Sequence, residues 1–149
     1  MAKIEFPGLE EYKEQLLKLG QEAPKIINRS LYEGAQVLAK EVQKEISGLK
    51  ELNKKQRAGL HQGMGIAHFW YENGDPTTKI GFEGYNGIKT KRWPNGQPNA
   101  MIARSIQRGT SRLTPNRFCK RAAQNARERS IEAIKKHLDQ ELAEMFEKK

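Results

Sequence analysis

The final third of the chain constrains the fold most. Phe118, Ala122, Ala126, Ile131, Ile134, Leu138, Leu142 and Met145 recur at helical spacing, with charged residues on the opposite side. Thr114 is a good N-cap and Pro115 suits a first helical position, so a helix over 115–147 is predicted. A second apolar line, Ile27, Leu31, Leu38, Val42 and Ile46, has Lys40, Glu41, Lys44 and Glu45 off it. It predicts another long helix from near Pro24 to Ile46, stopped by Ser47 and Gly48.

The rest of the chain punctuates these two helices. Ile4 and Phe6 alternate with Lys3 and Glu5 as in a short strand; Leu9, Tyr12, Leu16 and Leu19 then follow helical spacing up to Gly20. Residues 1–48 thus read as a strand and helices, and the polar stretch 49–60 as a loop. Met64, Ile66, His68 and Trp70 alternate with Gly65, Ala67, Phe69 and Tyr71, and Asn73-Gly74-Asp75-Pro76 signals a turn. Residues 62–83 are therefore predicted to form a β-hairpin. Residues 84–99 are crowded with turn formers and predict a long loop, a kind that in compact domains is usually functional or disordered. Residues 100–112 read as a short helix and a turn, with Gly109 ending the helix in a left-handed conformation.

At 149 residues the length suits a single domain over 1–149. A chain of that size buries roughly 70% of its unfolded surface without disulfides or metal. Apolar content of 36% is low and charged content of 30% is high, which suits a subunit completed by its neighbours. The net charge of +9 implies an anionic partner or a solubility device. The run from Gly84 to Arg121 holds nine Lys/Arg and no acid, which argues for an electrostatic contact surface rather than scattered solvated charge. No apolar run is long enough for a membrane span, and Met1 to Phe6 lacks a hydrophobic signal core, so signal-directed export is not expected. Cys119, the one cysteine, excludes an internal disulfide.

Signals for chemistry are weak. His61, His68 and His137 lack metal-ligand spacing, so no metal or cofactor is predicted. Cys119 lies near basic residues and a helix start, but no base can be placed beside it, and a small buried filler is the favoured reading. Thr110 and Ser111 between Arg108 and Arg112 could cradle a phosphate, yet a turn in which Gly109 supplies positive φ explains them more cheaply. The glutamate pairs sit among lysines as surface ion pairs do, so an enzyme is not expected. Arg104, Arg108, Arg112, Arg117 and Trp93 are the candidate interface residues. Tyr85 and Trp93 are suited either to stacking on bases or to anchoring a protein interface.

The order of these pieces carries a resemblance. A helix pair precedes a hairpin ending Gly81-Phe82-Glu83-Gly84-Tyr85-Asn86. Then come Pro98-Asn99-Ala100-Met101, Arg108-Gly109-Thr110-Ser111, and Phe118 and Ala122 opening a charged last helix. This resembles the tail-completion, or head–tail joining, family of long-tailed double-stranded DNA bacteriophages and their prophages, over nearly the whole chain. Arg117 stands where that family often has proline, and Gln107-Arg108 where it often has glutamate; both departures add to the basic run. The resemblance implies an α+β fold, with N-terminal helices and a long C-terminal helix packed on a small antiparallel sheet. It implies a non-enzymatic virion protein of the neck, assembled in the host cytoplasm. Its partners would be its own copies, in a ring of probable sixfold symmetry around the DNA channel, and the head-closure and tail-terminator or tail-tube proteins. The basic residues would meet an acidic neighbour or, without sequence preference, the passing duplex DNA, and 84–99 would order as neighbours dock. The alternative is a stand-alone basic nucleic-acid-binding domain, although no helix-turn-helix, zinc or single-strand signature is present.

Overall fold

The computed structural model describes residues 2–4, 23–67, 70–73 and 75–147. In order these form β1 (Ala2–Ile4), α1 (Ala23–Ser47), α2 (Lys54–Gly63), β2 (Met64–Ile66), β3 (Trp70–Glu72), β4 (Asp75–Phe82), α3 (Asn99–Arg108) and α4 (Phe118–Glu147). The arrangement is α+β, with a long C-terminal helix. The helix expected over Leu9–Leu19 lies outside the described residues, as do Phe6, His68 and Phe69.

α1 and α4 run antiparallel, because each needs a long partner for its apolar stripe. Three ion pairs mark the register: Arg29–Glu141 at 2.9 Å, Glu41–Arg129 at 2.9 Å and Glu45–Arg121 at 2.8 Å. Their arginines are largely exposed, so each contributes at most about 1 kcal/mol; they specify register more than stability. The helices approach closely at Gly34, where an added Cβ would lie 2.5 Å from the Ile134 side chain and 3.1 Å from the Ser130 carbonyl oxygen. Ser130 therefore occupies the buried line between Ala126 and Ile134, and Ile131, assigned there by its hydrophobicity, is only half-buried.

β4 is the centre of the sheet. On one side it pairs antiparallel with β1, and on the other with both β2 and β3. The expected hairpin is thus present, but its first strand is interrupted. Ile66 faces Ile80 and Trp70 faces Thr77, and residues 68–69 between them lie outside the described residues. Thr78 Oγ1 donates to the Ala67 carbonyl at 2.7 Å beside this break. Ile80 and Phe82 turn into the core, where the Phe82 ring meets that of Phe118 at 6.3 Å between centroids.

Two further expectations are corrected. Within 49–60, read as a loop, α2 begins at Lys54. Asn53 and Gln56 form a capping box: Gln56 N donates to Asn53 Oδ1 at 2.8 Å, and Asn53 N to Gln56 Oε1 at 3.1 Å. Arg57 then reaches back over the end of α1, donating to the carbonyls of Leu49 at 2.5 Å and of Ile46 and Leu52 at 3.4 Å. The last helix starts at Phe118, not at Pro115, and Thr114 is not its N-cap. Asn116 N donates to the Ile106 carbonyl at 2.8 Å, which ties the segment to the end of α3 and keeps it out of the helix.

The buried side chains form two clusters along the α1–α4 pair. The larger joins Leu38, Val42, Ile46, Leu60, Ile80 and Phe118, among others; the smaller holds Ile26, Ile27, Leu31, Ile134 and Leu138. Leu138 is 3% exposed in that smaller cluster. Replacing it with Ala is expected to destabilise the protein by about 2–5 kcal/mol in urea unfolding.

Candidate functional site

The basic run is built on a close-packed frame at the C-terminal end of α1. Its first part, the 84–98 segment, is ordered from within. Asn86 N donates to the Gln97 carbonyl at 2.9 Å and Asn99 N to the Gly84 carbonyl at 3.0 Å. The buried Asn86 side chain accepts from Ile88 N at 2.9 Å and from Gln97 N at 3.1 Å. Asn99, also buried, donates from Nδ2 to the Glu83 carbonyl at 2.9 Å. α2 presses against this clasp through glycines: a Cβ on Gly59 would stand 2.6 Å from Asn99 Oδ1, and one on Gly63 would stand 2.2 Å from the Glu83 carbonyl oxygen. The expectation that this loop orders only when neighbours dock is therefore corrected, because its own polar groups already hold it.

The second part joins α3 to α4. Gly109 has φ +76° and ψ 170°, so the positive φ expected of it is present but the left-handed helical ψ is not. A Cβ there would lie 2.8 Å from the Leu113 carbonyl oxygen and from Pro115 Cγ and Cδ. Pro115 thus packs over Gly109 instead of opening a helix. Thr110 closes the turn: its N donates to the Leu113 carbonyl at 3.0 Å, and its Oγ1 accepts from Arg112 N and Leu113 N, both at 3.1 Å. That hydroxyl is committed to backbone, and Ser111 is exposed beside it.

Cross-links knit these parts into one pole. Gln56 Nε2 reaches Gln97 Oε1 at 3.4 Å, Asn116 Nδ2 donates to Glu51 Oε1 at 3.0 Å, and Cys119 N donates to Gln107 Oε1 at 3.3 Å. The bond from Asn116 holds the Glu51 carboxyl below its ordinary pKa. The charge is concentrated here. Residues 48–63 and 84–121 carry thirteen Lys/Arg and one acid, Glu51, whereas the rest of the chain carries fourteen Lys/Arg and seventeen Asp/Glu.

Arg104, Arg108, Arg112 and Arg117 are all exposed, and among the described residues no ion pair engages them. Arg104 and Arg108 share one face of α3, a turn apart. Trp93 is half-buried in the 84–98 loop, with the Arg92 guanidinium 5.4 Å from its ring centroid, so its ring contact is with Arg92 and not with those four arginines. Sequence reasoning missed Lys54, Lys55 and Arg57 as neighbours of this run, because they lie far from it in the chain. The capping box at Asn53 was the available signal that this stretch is a helix and not a loop. Arg57 and Arg121 are engaged within the molecule, by carbonyls and by Glu45 respectively.

The remaining chemical groups have structural partners. His61 is hydrogen-bonded to the Gln43 side chain, and His137 Nδ1 to Ser30 Oγ at 2.8 Å. Among the described residues no His, Cys, Asp and Glu side chains cluster as metal ligands, and no helix is long and apolar enough to cross a membrane. Cys119 is buried, and desolvation pushes its thiol from the ordinary 9.0 to about 11. Comparison of the chain with models of known families, with curated proteins and with solved structures finds no match.

Two outcomes follow from this geometry. Gly109→Val is expected to lose about 1–3 kcal/mol or more in a thermal or urea melt, since a β-branched residue resists positive φ and its Cβ meets Pro115. The Cys119 thiol should resist a thiol-specific reagent such as DTNB at pH 8 in the native protein and react fully once unfolded. Because its folded-state pKa is raised, its contribution to stability is complete below pH 9.0 and lost as pH climbs through about 11.

Proposed function

We propose that this protein is a non-enzymatic structural subunit of a bacteriophage neck, a tail-completion protein acting as one copy of a ring between head-closure and tail-tube proteins. The observation that carries the reading is the α3–α4 junction. Gly109 turns the chain with positive φ, exposed Arg108 and Arg112 flank that turn, and Phe118, fully buried, opens the last helix against Phe82 of the sheet. That is the order of features on which the family resemblance rests, set in an α+β frame of the kind it implies. A ring requires two different surfaces whose rotation closes on itself. The pole would meet an anionic partner within the neck.

A stand-alone nucleic-acid-binding domain is the second reading, favoured by the same concentration of charge. It requires the isolated chain to bind DNA at about micromolar concentration in physiological salt. The neck reading is tested by deleting the gene from its phage or prophage. Filled capsids and finished tails that fail to join are expected, with joining restored by the wild-type chain. Joined, infectious particles lacking the protein would overturn it.

A further inference from the structure

We propose that the pole formed by α2, the 84–98 loop and the α3–α4 junction is a sequence-independent binding surface for the phosphate backbone of duplex DNA. The inference deepens the reading of this chain as a contact protein by choosing the partner of its basic end.

The charge there opposes the needs of the fold. A helix N-terminus is the positive end of its dipole, so it favours acids and disfavours cations. α2 opens with Lys54 and Lys55, and α4 opens behind Arg117 with Lys120 and Arg121; neither first turn holds an acid. Both of these helix starts lie in the pole. The protein thus carries cations where its own stability disfavours them, and among the described residues no ion pair engages exposed Lys54, Lys55, Arg117 or Lys120. An external polyanion relieves this conflict twice, by neutralising the side chains and by meeting the helix ends.

The surface is also the wrong kind for an acidic protein. Protein interfaces centre on a buried apolar patch and are depleted in lysine. Among the described residues of the pole, Tyr85 at 62% exposure is the large hydrophobic side chain left open, and it lies in the acid-free stretch from Gly84 to Arg121. Gly87, two residues on, lies against the Lys55 side chain. Dispersed cations on a rigid frame without an apolar centre suit a regular array of phosphates. Such binding releases counterions and falls steeply with salt.

The test compares two variants of equal net charge on the full chain. One removes pole cations (Arg104→Ala, Arg108→Ala, Lys120→Ala). The other removes exposed cations elsewhere (Lys40→Ala, Lys135→Ala, Lys136→Ala). Binding to a mixed-sequence 30-base-pair duplex is followed by fluorescence anisotropy across a salt series starting near 50 mM, with poly-glutamate as competitor; circular dichroism checks the fold. The pole variant should bind roughly tenfold or more weakly, with a log–log salt slope flatter by about 2.7, while the control stays near wild type. Equal losses in both variants, no binding at low salt, or preference for poly-glutamate would each overturn the proposal. None of those results touches the capsid–tail joining test, so the two readings fail separately. Binding that persists at micromolar strength in physiological salt would uphold the DNA surface while favouring the stand-alone domain.

Discussion

Everything else in this fold depends on the close approach of α1 and α4. Gly34 lets the helix axes come together against Ile134 and Ser130, and that contact sets where every other part must sit. At one end of the pair the gap closes over Ile26, Leu31 and Leu138. At the other it opens to admit the sheet: Phe82 and Ile80 enter from β4, and Phe118 meets them from the start of α4. α3 fits beside this junction through Ile102, Ala103 and Ile106. The ion pairs along the seam fix the register while adding little stability, whereas a Cβ added at Gly34 would collide with the Ile134 side chain.

Most of this architecture was legible in the residues. The lines Ile27 to Ile46 and Phe118 to Leu138 mark two long helices, and the structure has them with nearly those limits. Turn formers at 84–98 marked a loop correctly, but their number hid how tightly it is held. The relevant bonds join Asn86 to Gln97 and Asn99 to Glu83, and partners eleven or sixteen residues apart leave no local pattern. α2 was missed because its surface is polar and its apolar contribution is chiefly Leu60. Its capping box was readable as Asn-x-x-Gln, yet the lysines between drew attention to charge. Thr114-Pro115 illustrates the opposite failure. Local preference favoured a helix start, but the Ile106 carbonyl claimed the Asn116 amide, and a tertiary bond outweighed the cap.

The candidate site was legible as charge and not as geometry. Arg104, Arg108, Arg112 and Arg117 stand out in any count of the acid-free run, and all are exposed. That α2 adds its cations to the same end follows from contacts such as those at Gly59 and Gly63, which require the three-dimensional path. Trp93, suited by type to stacking or to anchoring an interface, has the adjacent Arg92 guanidinium over its ring.

The clasp of Asn86, Asn99 and the glycines facing them has one more implication. Shape at this end is set by groups that tolerate no added methyl, at Gly59, Gly63, Gly96 and Gly109. Many of the charges above them, Arg104, Arg108, Arg112 and Arg117 among these, sit on exposed long side chains. Form and attraction are thus written in different residues, and selection can retune what this end draws towards itself, one lysine at a time, while leaving its contour untouched.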